Sequence, residues 1–163
     1  MSRTLKMNQR KTVREIERIA DQLRRAFEGE AWHGPALREL LADTTAAKAA
    51  ERPLPAAHSI WEIVLHIAAW KNIVRRRLEG EVVVNVPLEE DWPSVKETND
   101  AAWKGALSEL EQAHRALYEK VAGFDEARLS EIVPGKNYSF YILLHGAIQH
   151  DLYHAGQIAL LKR

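Results

Sequence analysis

Cysteine is absent from the 163 residues. That one absence removes disulfides, thiolate metal sites and a cysteine nucleophile together. Charge of one sign is also lacking: 23 Lys and Arg face 23 Asp and Glu, with no strong block of either. A chain so balanced presents no electrostatic footprint for nucleic acid or for an anionic membrane surface. Long apolar runs are missing too. Nothing approaches the ~20 residues of a membrane span, and "MSRTLKMNQRKTVREIERIA" has no apolar signal-peptide core. The expectation is a soluble, cytoplasmic protein. Its length suits a single domain over residues 1–163 with room for a real core.

What the chain does have is helical periodicity. Val13, Ile16, Ala20, Leu23 and Phe27 recur at three- and four-residue steps before Gly29. Ser59 and Glu62 form a capping-box pattern ahead of a stripe of Ile60, Ile63, Val64, Ile67, Trp70 and Val74, which ends near Gly80. A third segment, starting around Ser94 and Glu97, carries Trp103, Leu107, Leu110, His114, Leu117 and Val121 before Gly123. The fourth begins near Tyr138 or Ser139 and runs to the end. Four comparable amphipathic helices predict an all-α four-helix bundle with long connections and short extra helices. "ALRELLAD" supplies one such extra piece, and Pro53 and Pro55 interrupt the chain beyond it. "EVVVNVPLEEDWP" at 81–93 is extended in character but has no second strand to pair with, so it reads as a loop. Periodicity leaves the order of the helices around the bundle open.

The closing stretch "IQHDLYHAGQIALLKR" puts His150 and His154 one turn apart, about 40° round the wheel at ~100° per residue. Leu143, Ala147, Ile158 and Leu161 share that side, so both rings project inward. Two adjacent inward imidazoles repel if protonated, and each needs a polar partner if neutral. A satisfied core histidine is the plain alternative; a divalent metal resolves both difficulties at once. His66, in mid-helix in "IWEIVLHIAAW", is a third candidate ligand, since facing helices are where bundles build metal sites. His33 and His58 sit in or beside loops. His114 occupies a core stripe and could serve the site from behind or as a fourth ligand. His145 lies ~140° round from His150 and faces elsewhere.

The sequence also resembles the DinB/YfiT-like family of metal-dependent four-helix bundles. The resemblance rests on "AWHGPALRELL", "HSIWEIVLHIAAWK", "RRRLEGE", "EDWPS" and "LLHGAIQHDLYHAGQIALLK" and spans nearly the whole chain. In that family one ligand histidine lies in the second long helix and an H-x-x-x-H in the last. Position by position, these fall on His66, His150 and His154, the trio the wheel selects. The resemblance implies one divalent metal ion, Zn or Ni, and a small-molecule substrate. Some relatives are transferases or isomerases that use a low-molecular-weight thiol, and others have no assigned reaction.

Three neutral ligands leave coordination positions open for water or substrate, which favours catalysis over a closed structural site. The expected function is therefore that of a thiol-dependent transferase or a hydrolase. Its rival is a metal-stabilised structural or stress-response protein that could assemble as a homodimer through an apolar helix face. Glu62 and Gln157 are spaced to hydrogen-bond a ligand ring or bound water. Glu62 is also a weak candidate base, although its capping role competes. Trp61, Trp70 and Trp92 are candidate pocket walls, with core packing as the plainer reading. Tyr153 and Gln149 point away, and Arg75, Arg76 and Arg77 read as a solvated basic patch.

Overall fold

The computed structural model describes residues 13–163. Four long helices dominate: α1 (Glu15–Glu28), α4 (Ile60–Leu78), α6 (Asp100–Ala122) and α7 (Phe140–Leu161). The short helices α2 (Leu37–Leu41), α3 (Ala46–Ala50) and α5 (Leu88–Asp91) interrupt the connections, and a 3-10 turn covers Glu126–Ser130. No strand forms among the described residues beyond an isolated bridge between Ile132 and Ser139. None of their helices is long and apolar enough to cross a membrane.

Side-chain caps set the starts of three long helices. Ser59 Oγ accepts from the Glu62 amide at 3.2 Å while Glu62 Oε2 accepts from the Ser59 amide at 2.8 Å, so α4 has its capping box. Ser139 caps α7 through the Ile142 amide. The third long helix starts later than the sequence suggested: Asn99, not a residue near Ser94, is its cap, with Oδ1 accepting from the Ala102 amide at 2.8 Å. Val13 also falls outside its helix. It precedes α1 and is exposed.

α6 and α7 each pack against both α1 and α4, which places α1 and α4 at opposite corners of the bundle. Both the α1–α4 and the α6–α7 connections therefore cross a diagonal. Two apolar clusters form the core. One gathers Phe27, Trp61, Ile63, Ile67, Trp103, Leu110 and Ile158; the other gathers Ile16, Leu23, Val74, Leu117, Phe140 and Leu144. Between them runs a belt of buried polar groups: Lys71 on α4, His114 on α6 and Asp151 on α7.

The segment 81–87 forms no strand, yet it is anchored. Gly135 adopts a left-handed φ of 77°, and a Cβ there would stand 2.9 Å from Val82 Cγ1 and 3.0 Å from Val84 Cγ2. Glycine at this turn lets Val82 and Val84 lie against it. Lys136 adds a hydrogen bond to the Val84 carbonyl. The rest of this connection, read as a loop from sequence, contains α5. That short helix packs against α4 beside His66.

Candidate metal centre

His66 of α4 and His150 and His154 of α7 converge where the two helices face each other. One ring nitrogen from each lies within 4.8 Å of the others, a group that could hold a metal ion. His150 Nε2 stands 3.0 Å from His66 Nε2 and 3.2 Å from His154 Nε2. His66 and His154 are buried and His150 is half-buried.

Hydrogen bonds on the far sides of the rings fix which nitrogen carries the proton. His66 Nδ1 is 2.6 Å from the Asp91 carbonyl, and a carbonyl can only accept, so Nδ1 donates and Nε2 keeps its lone pair. His154 Nδ1 likewise donates to Gln157 Oε1 at 2.6 Å. Both bare Nε2 atoms face His150 Nε2. A proton on that atom can serve only one of them and leaves the other contact as lone pair against lone pair. A divalent cation accepts all three.

The spacing suits this role. Two nitrogens ~2.1 Å from one ion stand about 3.0 Å apart at a right angle and about 3.4 Å apart at the tetrahedral angle. The 3.0 and 3.2 Å separations to His150 lie within that interval, and the third pair of nitrogens lies within 4.8 Å. The residues present therefore fit a divalent metal, with Asp91 and Gln157 orienting the rings from behind.

Burial also keeps the rings neutral. Desolvation depresses all three imidazoles, and repulsion from neighbouring histidines adds to it: His150 falls to about 3 and His154 to about 4. His66 is lowered less completely because Asp91 partly offsets its burial. At neutral pH the lone pairs are available without competition from protons.

The surrounding residues divide into those that reach the site and those that do not. Trp70 donates its indole N–H to Asp91 Oδ1 at 2.7 Å, which holds α5 against α4. Trp92 lies flat on His66 at 3.8 Å, and its other face is covered by His58 at 3.6 Å. His58 thus meets the site by stacking. Gln157 is in place on His154. Trp61, in contrast, is buried against Trp103 in the apolar core.

Glu62 does not reach the trio. One carboxylate oxygen caps α4 through Ser59, and the other pairs with Arg52, so it is not free to act as a base there. His114 stands apart as well, stacked on Phe27 at 3.9 Å. Sequence reasoning missed Asp91, which lies in a segment too short to show any period. The only signal was an acidic residue beside a tryptophan and a proline in "EDWPS", a combination unusual for a solvated loop.

The model of the DinB superfamily matches residues 31–158, a span that holds all three histidines, Asp91 and Gln157. The chain belongs to the DinB superfamily. No curated protein and no solved structure matches it. Membership agrees with the helical bundle and with a site that could take a metal ion. It leaves the reaction of this DinB-superfamily protein to be argued from its own residues.

Proposed function

We propose that this chain binds one divalent metal ion, Zn or Ni, through His66, His150 and His154, and acts as a metal-dependent transferase or hydrolase on a small molecule. One observation carries the reading: two Nε2 lone pairs, each fixed by a hydrogen bond on the opposite side of its ring, are aimed at a third histidine. Imidazole suits both metals. When bound, such an ion supplies Lewis-acid charge that activates water or a thiol.

The protein's own part is to position and to exclude. Asp91 and Gln157 lock two rings, while Trp92 covers His66 and keeps bulk water from that face. On the opposite side His150 borders a cavity of about 260 Å³ between α4 and α7, walled by Trp70, Val74, Leu117 and Leu143. A site that only held the fold together would have no use for such a chamber at one of its ligands, so the cavity favours the enzyme over the structural protein. With no cysteine in the chain, any reacting thiol comes from the substrate.

Cobalt-loaded protein provides the test. Titration with small thiols should change its visible spectrum, as a thiolate takes an open coordination position. A spectrum that ignores thiols and every other added ligand, together with a fourth protein ligand, would replace this reading with the structural one.

A further inference from the structure

The cavity beside His150 has a charged far end. Arg77, read from sequence as part of a solvated patch, is only 2% exposed and lines this cavity with Tyr138, Ile142 and Gly146. Its neighbours Arg75 and Arg76 do reach the surface and have glutamate partners there. Arg77 has none. Its Nη1 donates to the Tyr138 hydroxyl and its Nη2 to the Val83 carbonyl, both at 3.2 Å, while the buried Nε has no partner. No carboxylate of the described residues stands within ion-pair distance of it, and residues 1–12 contain neither Asp nor Glu. The one carboxylate in the cavity wall, Asp151, is committed to Lys71 at 2.5 Å.

A buried guanidinium without a counter-ion is costly, and arginine's planar fork matches a carboxylate. Apart from the Lys71–Asp151 ion pair, the walls between Arg77 and His150 are apolar: Val74, Leu117, Ile142, Leu143 and Ala147. On α4 the cavity runs from Trp70 to Arg77, seven residues or about 10 Å of helix. Its volume of about 260 Å³ falls just under the ~300–1,000 Å³ usual for drug-sized ligands.

We propose that this cavity binds a monocarboxylate with an unbranched apolar chain, the carboxylate on Arg77 and Tyr138 and the other end toward His150. The anion site stands without the metal. Only its service as the substrate chamber rests on the metal-dependent reading above.

The experiment is calorimetric titration of metal-stripped protein with straight-chain carboxylates from acetate to decanoate, and with octanamide as the neutral control. Affinity should rise about threefold to fourfold per methylene until the chain fills the cavity, near hexanoate to octanoate. Octanamide should bind at least about tenfold more weakly than octanoate, and Arg77→Met should cost octanoate a similar factor. Arg77→Met removes a buried charge that has no counter-ion but also the donor to the Val83 carbonyl and the cation over the Trp70 ring, so its melting temperature should fall modestly while the protein stays folded. Gly146→Leu is a second variant that keeps Arg77: a Cβ at Gly146 meets nothing within 4 Å, so the leucine enters open space at the cavity wall and should abolish binding.

Equal affinity of octanoate for wild type and either variant would overturn the proposal. So would octanamide binding as tightly as octanoate, or no binding along the series. Cobalt-loaded protein with octanoate carrying a terminal thiol then separates the two readings. A change in the cobalt spectrum supports the chamber. A silent spectrum with the carboxylate still bound counts against the metal reading and leaves the anion site standing.

Discussion

Helices α4 and α7 hold two polar clusters side by side, and they are built on opposite plans. In one, His66, His150 and His154 are neutral and their lone pairs converge on one another. In the other, Lys71 and Asp151 form a fully buried ion pair that needs nothing from outside. Burial pushes the Asp151 carboxyl above its ordinary value, and the Lys71 ammonium pulls it back. Adjacent residues of one helix, His150 and Asp151, thus belong to an incomplete cluster and a complete one. Burial does not distinguish a candidate site from a structural pair here; an unmet demand for a ligand does.

The largest expected effect breaks the complete cluster. Asp151→Ala should destabilise the protein by about 3–5 kcal/mol, because it strands the Lys71 ammonium in the core. Replacing both partners with apolar residues, Lys71→Met with Asp151→Leu, should recover most of that loss in denaturant unfolding. If the double variant is no more stable than the single one, the pair is not self-contained as described.

A smaller effect belongs to the incomplete cluster. Gln157→Leu keeps the ring of His154 in place but removes the acceptor that fixes its tautomer. Metal affinity should fall roughly 10–100-fold, with little change in the stability of metal-free protein. Competition against a chelator of known affinity reads this directly, and an unchanged affinity would remove Gln157 from the site.

His114 gives the smallest effect and sharpens the contrast from a third direction. Both its ring nitrogens are buried without hydrogen-bond partners, and burial, with repulsion from Lys71 and Arg38, depresses it to about 2. His114→Leu should be neutral, or stabilising by about 1 kcal/mol, since an unsatisfied polar group is removed but its stack on Phe27 is lost. The pH dependence comes from the sign of the shift. A histidine whose folded pKa is depressed contributes full stability above its unfolded value near 6.5, and loses it as pH falls toward the folded value. Wild type should therefore weaken progressively below about pH 6.5, and His114→Leu should flatten that acid limb. Parallel pH profiles for the two proteins would contradict this.

The parts of this architecture that were legible in the sequence are those with a period. The stripes of α4 and α7 and the capping box of Ser59 and Glu62 identified the long helices, and one-turn spacing picked out His150 and His154 on a shared face. Gln157, one turn beyond His154, obeyed the same geometry. What was hidden depends on tertiary packing. α5 is four residues long and cannot show a helical period, so Asp91 was out of reach, and Trp92, expected as a pocket wall, stacks on His66 instead. Lys71, Arg77 and Asp151 are charged, and charge in a helix ordinarily means solvent. Their burial comes from positions on α4 and α7 that face each other across the bundle. Arg77 was masked further by its two surface-exposed neighbours, Arg75 and Arg76.

The central claim is that three histidines form one metal site, and metal content tests it most directly. Protein purified without a metal-affinity tag should carry about one divalent ion per chain by elemental analysis and native mass spectrometry. His66→Ala, His150→Ala and His154→Ala should each reduce that to a small fraction, while His58→Ala and His114→Leu should retain it. Full metal retention in His150→Ala, whose Nε2 stands between the other two, would contradict the claim outright.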